Sequence, residues 1–86
     1  MSGYELSVDL EVLQQLLRVE EDERDRVIEL LDRLRREPFL SGDYREPDDT
    51  GRANEIILVG NLLVFYWSDH AVKTVRVIKI ELVDGD

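Results

Sequence analysis

The stretch "GNLLVFYWSDHAVKTVRVIKIELVDGD", residues 60–86, has the composition of the sheet of a small domain. Apolar, β-branched and aromatic residues fill two runs in it, residues 62–68 and 72–83. A third run of the same kind, residues 54–59, comes just before. The sequence therefore predicts three consecutive strands in the second half of the chain.

Two local signals shape these strands. Gly60-Asn61 is a two-residue hairpin turn of the kind that tolerates positive φ, so the first two strands should pair antiparallel. In the last strand Val75 and Val77 alternate onto one face, whereas Ile78 and Ile80 fall on the other. This slip of phase predicts a β-bulge near residues 77 and 78, or a strand buried on both faces at its centre.

The amino-terminal part predicts a short strand followed by a helix. Apolar and polar residues alternate over residues 4–8, which is the period of a half-buried strand. Asp9 can then cap a helix through residues 10 to about 18. Leucines recur at helical spacing in this helix and predict one buried apolar stripe, formed by Leu10, Leu13, Leu16 and Leu17.

A second helix is predicted from Glu20 to Glu37, where Pro38 ends it. Acids occupy its first turn and arginines its last, as the helix dipole favours. One continuous helix over residues 10–37 is the alternative, but Glu20 and Arg24 would then interrupt its apolar seam, so two helices forming a hairpin are preferred. The residues predicted to form the buried face of the second helix are Val27, Ile28, Leu31 and Leu34, with Leu30 beside them.

Residues 38–51 hold two prolines, two glycines and five charges, and are predicted to be one long loop. The resulting order is β-α-α-β-β-β in one domain over residues 1–86, an α+β fold with a helix hairpin packed on one face of a small antiparallel sheet. Both faces of residues 56–59 and 62–67 are apolar, so the pattern leaves open which face the helices cover. The excess of apolar surface indicates a partner.

Composition restricts the function. Twenty acids against eleven bases give a formal charge of -9, which repels nucleic-acid backbones. The absence of cysteine and the single histidine exclude thiolate sites and a histidine metal cluster, and we expect no metal and no cofactor. No leader-like segment and no apolar run long enough to span a membrane is visible, so a cytoplasmic location is expected.

Few side chains are candidates for chemistry. His70, beside Asp69 in a polar turn, is either a general base or an ordinary solvated histidine. Tyr66 and Trp67 are neighbours in a strand and point to opposite faces, so one should be buried and the other exposed as an anchor for a partner. The sequence contains no glycine-rich phosphate loop and no nucleophile motif.

The string "LLRVEEDERDRVIELLDRLRREPF", followed by "GR", "VGNLLVFYWSD" and "VRVIKIE", resembles the RelE/ParE toxin superfamily of bacterial toxin-antitoxin modules. The resemblance covers nearly the whole chain and implies a short strand, a helix hairpin ending at Pro38 and a three-stranded antiparallel sheet. It also implies one of two activities. One branch of the family cleaves messenger RNA on the ribosome with basic residues and often a tyrosine, and another poisons gyrase.

The chain departs from the ribonuclease pattern at three places. Leu63 stands where an arginine is typical, although Tyr66 three residues later is retained. The preceding strand reads "NEII" where lysines would face RNA, and the carboxyl end reads "VDGD" in place of a basic residue and a tyrosine. Because RNA cleavage needs cations to hold the phosphate, we predict a toxin-antitoxin protein that acts through protein contacts.

The partner implied is an antitoxin with a basic segment. The residues expected to contact it are the aromatic pair Tyr66 and Trp67 and the acidic residues Glu21, Asp22 and Asp25 of the helix hairpin.

Two alternative functions stay open. One is a diverged ribosome-dependent endoribonuclease that uses Arg52, Tyr66, His70, Arg76 or Lys79, although Arg76 and Lys79 take opposite faces unless a bulge realigns them. The other is a homodimer without a toxin role, joined through a sheet edge or Trp67.

Overall fold

The computed structural model describes residues 3–83. The described chain contains two helices and five strands. In chain order they are β1 (Glu5–Val8), α1 (Leu10–Leu16), α2 (Glu21–Arg36), β2 (Tyr44–Pro47), β3 (Ala53–Val59), β4 (Leu62–Asp69) and β5 (Thr74–Leu82). No helix in this part of the chain is both long enough and apolar enough to cross a membrane.

The five strands form one sheet in the order β1-β5-β4-β3-β2, with both helices on one face. The α+β class and the helix layer are as predicted. The hairpin turn is also confirmed, because Gly60 has φ 59° and β3 pairs antiparallel with β4. One pairing differs from a purely antiparallel sheet: β1 runs parallel to β5. Between these two strands the chain passes through both helices and the other three strands, β2, β3 and β4, so the pairing joins the two ends of the described chain.

The prediction of a long loop over residues 38–51 is wrong in part, because β2 lies within it and forms one edge of the sheet. Side chains hold β2 in place. Glu55 accepts hydrogen bonds from the backbone N–H of Gly42 at 2.8 Å and from Arg45 Nε at 2.7 Å. Asp43 accepts one from the N–H of Leu58 at 3.0 Å. These contacts bridge positions 10 to 15 residues apart, so the local composition of the segment does not reveal them.

The predicted bulge in β5 is confirmed. Phe65 lies opposite Lys79, and the next residue, Tyr66, lies opposite Val77, so Ile78 is the extra residue on β5. Val77 and Ile80 consequently both point into the core, at 0% and 2% exposure. The break in alternation in the sequence therefore arises from an added residue, and Val75, Val77 and Ile80 all lie in the core beneath the helices.

Two separate helices are present, as preferred, and Asp9 occupies the cap position of α1, although its side chain makes no capping hydrogen bond. The predicted buried stripe of α1 is wrong except at Leu16. The helix packs against β5 through Val12 and Leu16, which are one turn apart and buried. Three of the four predicted leucines face solvent: Leu10, Leu13 and Leu17.

The predicted buried face of α2 is wrong at one residue, Ile28. Ile28 is 52% exposed, and Leu30 is buried in its place beside Val27, Leu31 and Leu34. Both residues border the apolar stripe in the sequence, and the position of the sheet below the helix decides which of them is covered. The core between helices and sheet is completed from β4 and β5 by Leu62, Val64, Tyr66, Val75, Val77 and Ile80.

Candidate functional site

The face of the sheet turned away from the helices, called the open face here, carries aromatic residues in its central strand. Phe65 and Trp67 alternate with the core residues Val64 and Tyr66 along β4 and therefore point to the open face. Phe65 is 5% exposed although no helix covers it, and Trp67 is partly exposed. The prediction that one of Tyr66 and Trp67 is core and the other partly exposed is thus confirmed.

Three basic side chains lie over these two rings. The guanidinium carbon of Arg52 is 3.8 Å from the centre of the Trp67 ring, and that of Arg76 is 5.7 Å from it. Lys79 Nζ is 4.7 Å from the centre of the Phe65 ring. Arg76 and Lys79 share this face because the bulge adds one residue between them, which restores the alternation. Three of the candidate catalytic residues are therefore brought together.

Each of the three bases also has a carboxylate beside it. Lys79 Nζ is 2.7 Å from Glu81. Arg52 is 3.8 Å from Asp48, and Arg76 is 3.9 Å from Asp69. The open face around the two rings therefore combines three positive and three negative side chains, and its net charge is close to zero. Ion pairs at the surface are weak. They neutralise the charge of the open face but hold the side chains only loosely.

His70 is held at one end of the sheet by two aromatic residues. Its Nδ1 shares a hydrogen bond of 2.6 Å with the hydroxyl of Tyr4, and its ring stacks on Phe39 with 4.5 Å between the centres. Arg52, Trp67 and His70 line one pocket of about 230 Å³ together with residues 38–41. His70 therefore shares a pocket with Arg52, and its Nδ1 is already hydrogen-bonded to Tyr4.

Tyr66 is separated from the cations by the sheet itself. It is 1% exposed in the helix-side core, and its hydroxyl donates a hydrogen bond of 2.8 Å to the carbonyl oxygen of Leu40. Burial, reinforced by the charges of Glu55 and Asp43, raises the pKa of Tyr66 to about 12. A buried, hydrogen-bonded phenol that resists ionisation suits packing better than contact with RNA or a partner.

The acidic residues expected to contact a partner lie in the helix layer, on the other side of the sheet from Trp67. Glu21, Asp22 and Asp25 are exposed at the start of α2. No ion pair involves them within residues 3–83. The exposed partner-binding candidates, Trp67 and the three acidic residues, therefore lie on opposite sides of the sheet.

An apolar groove of about 490 Å³ on the open face was not predicted as a site. It runs beside β2 and is lined mainly by Tyr44, Ile56, Leu58, Leu63, Phe65 and Val83. Tyr44 lies opposite Ile56, and Ile56 opposite Phe65, so one row of side chains crosses three strands. The apolar residues on both faces of β3 and β4 indicated that the open face would be apolar. The groove itself could not be predicted, because the sequence did not reveal that β2 pairs beside β3.

Comparison with solved structures identifies the fold. No protein-family profile and no curated protein matches the sequence. Among solved structures, the crystal structure of the archaeal RelE-RelB complex from Pyrococcus horikoshii OT3 is similar over 100% of both chains, with a TM-score of 0.81 and 17% sequence identity. At this identity the similarity establishes the fold, so the chain has a RelE-like fold.

Proposed function

We propose that this chain is a toxin-antitoxin protein of the RelE type that acts by binding another protein in the cytoplasm and does not cleave RNA. The RelE-like fold supports the class, and the similar archaeal structure is a complex of RelE with RelB. The sequence resemblance points to the same superfamily. An antitoxin is therefore the first partner to consider, and its binding segment should be basic because this chain carries a charge of -9.

The balanced charge of the open face is the observation that carries the proposal. Phosphoryl chemistry on RNA develops negative charge, which a nuclease stabilises with cations that are free to face the phosphate. Here each of Arg52, Arg76 and Lys79 lies over an aromatic ring and near a carboxylate. A face without net positive charge does not concentrate RNA, and Tyr66 lies on the other side of the sheet.

Growth and RNA cleavage should be measured together after induced expression of the wild type. The matched variant is the triple substitution Arg52→Ala, Arg76→Ala and Lys79→Ala. Arg36→Ala is the single-charge control in the helix layer, where Arg36 pairs with Asp32. We expect no ribosome-dependent cleavage of messenger RNA from any of these proteins, whatever their effect on growth. Cleavage by the wild type that the triple variant abolishes would overturn the proposal.

A diverged endoribonuclease is the second candidate, and one observation favours it. The bulge at Ile78 places Arg76 and Lys79 on one face, where Arg52 joins them. Surface ion pairs cost about 1 kcal/mol or less to break, so phosphate could displace the carboxylates. In that case Tyr66→Phe would leave cleavage intact because Tyr66 is buried, whereas His70→Ala would reduce it.

A further inference from the structure

The open face has the apolar content of an interior surface, although both helices lie on the other side of the sheet. The residues of β4 that point to it are Leu63, Phe65 and Trp67, where a strand with one solvated face would carry polar side chains. Tyr44 and Leu58 extend this surface and are 57% and 44% exposed. An apolar surface of this kind marks a protein-binding site.

The strand register arranges the open face in rows that cross the sheet. The central row consists of Tyr44, Ile56, Phe65 and Lys79. The row on the side of the Gly60 turn consists of Leu58, Leu63 and Glu81, and the row on the other side includes Trp67 and Arg76. On β5 an acid and a base therefore lie on either side of the central row, each about 7 Å from it.

This arrangement is complementary to itself. A twofold axis along the central row turns the open face of a second copy onto the first and brings Glu81 of each copy over Arg76 of the other. The same rotation places Leu63 over Trp67 of the other copy, on both sides of the axis. Lys79 meets its own copy at the end of the row, where Glu81, 2.7 Å away, balances its charge.

A twofold axis along β4 is the other way to superpose two open faces. It would lay β5 of one copy on β3 of the other, with Lys79 against Ile56 and Glu81 against Leu58. Charged groups buried on apolar side chains are costly. The axis along the central row is therefore favoured.

Charge also favours a second copy on this face. The six charged side chains around Phe65 and Trp67 cancel, so the charge of -9 lies on the rest of the chain. Two copies therefore meet with the least repulsion through their open faces, whereas a strongly basic partner is drawn to the acidic surfaces elsewhere. At physiological ionic strength the Debye length of about 8 Å screens the charges on the far sides of the two molecules.

The size of the face suits a weak dimer. β4 has eight residues. It is therefore about 27 Å long, and the four strands from β2 to β5 span about 19 Å, which gives a footprint of about 500 Å². Standard interfaces bury about 800 Å² per partner, and smaller ones are transient. We expect a dissociation constant of about 1 to 100 μM.

We propose that this chain forms a twofold symmetric homodimer through its open face, in which Glu81 of each copy pairs with Arg76 of the other. The inference goes beyond the proposed function and does not depend on the toxin-antitoxin class. The dimer covers Arg76 and Lys79, so it withholds these two cations from any other ligand.

Sedimentation equilibrium of the full chain, from about 1 μM to 1 mM in about 0.15 M salt, measures the dimer. Glu81→Arg and Arg76→Glu each bring like charges together across the axis, and each should weaken dimerisation at least about tenfold. An equimolar mixture of the two variants should restore it, because one ion pair of the mixed dimer then has its charges exchanged and the other is native. Circular dichroism confirms that each variant is folded.

Glu29→Arg is the matched control. It makes the same change in net charge as Glu81→Arg, at an exposed position of the helix layer. Dimerisation of this variant should stay within about twofold of the wild type. In the wild type, amide NMR shifts that depend on concentration should fall on Leu63, Phe65 and Trp67.

A chain that stays monomeric up to about 1 mM would overturn the proposal. The same conclusion would follow from equal dimerisation of Glu81→Arg and Glu29→Arg, from a mixture that dimerises no better than its two components, or from shifts confined to the helix layer. These measurements involve no RNA, so their failure is distinct from a failure of the proposed function, which the cleavage assay reports.

Discussion

Arg76 and Lys79 point to the same face of β5, although three residue steps separate them and a regular strand would place them on opposite faces. The extra residue, Ile78, makes this alignment. The bulge therefore does two things at once. It keeps Val77 and Ile80 in the core, and it places Arg76 and Lys79 over Trp67 and Phe65.

Deletion of Ile78 should be tolerated. Without it the alternation becomes regular, and Arg76, Val77, Lys79 and Ile80 keep their present faces. We expect the free energy of unfolding to fall by about 1 kcal/mol or less in urea denaturation. Deletion of Ile80 is the control, since it forces a charged residue into the core position and should prevent folding. Equal losses for the two deletions would contradict this account of the bulge.

Tyr66→Phe should lower the free energy of unfolding at neutral pH by about 1 kcal/mol, because the hydrogen bond to the carbonyl of Leu40 is lost. Urea denaturation of wild type and Tyr66→Phe measures this loss in the free energy of unfolding. Tyr4→Phe, which removes a more exposed hydroxyl from His70, is the control and should cost less. A loss near zero in Tyr66→Phe would show that the buried bond contributes nothing net.

The same phenol predicts a dependence on alkaline pH. The pKa of Tyr66 is raised to about 12 in the folded chain, against about 10 in the unfolded chain. The unfolded chain loses the Tyr66 proton at a lower pH than the folded chain does. The free energy of unfolding therefore keeps the whole Tyr66 contribution below a pH of about 10, and falls by about 2 to 3 kcal/mol as the pH rises toward 12. Wild type and Tyr66→Phe should converge and then reverse in stability over this range. Parallel curves would contradict the raised pKa.

Gly42→Ala should loosen the edge strand β2. A Cβ atom at Gly42 would stand 2.6 Å from both the backbone nitrogen and oxygen of Ile56, so the two backbones must separate. We expect a loss of about 1 to 3 kcal/mol in the free energy of unfolding, with faster hydrogen exchange at Leu58. Ser41→Ala, at the exposed neighbouring position, should change stability by less than about 0.5 kcal/mol. An unchanged exchange rate at Leu58 in Gly42→Ala would exclude the clash.

Substitution of a buried and of an exposed leucine at the end of α1 should change the free energy of unfolding by different amounts. Leu17→Gln is expected to change the free energy of unfolding by less than about 0.5 kcal/mol, because the side chain is 75% exposed. Leu16→Ala removes a side chain that is 6% exposed and should cost about 2 to 5 kcal/mol. Thermal and urea denaturation of the two variants measure the difference, and a large loss in Leu17→Gln would show that this leucine is covered in solution.

The sequence by itself determined the features that depend on neighbouring residues. Helix periodicity with Pro38 as a stop, the Gly60-Asn61 turn and the slip of phase around Ile78 predicted two helices, a hairpin and a bulge. Each is encoded within a few residues by backbone preference and the spacing of apolar side chains. The opposite faces of Tyr66 and Trp67 follow for the same reason.

Only the tertiary structure decided the features that join distant parts of the chain. The parallel pairing of β1 with β5, the attachment of β2 through Glu55, and the exposure of Leu13 all depend on which surfaces meet after folding. A local pattern specifies that a stripe is apolar, but it does not specify where the sheet ends beneath it. The charge balance of the open face arises in the same way, because the register across the sheet sets the distances between the acids and bases.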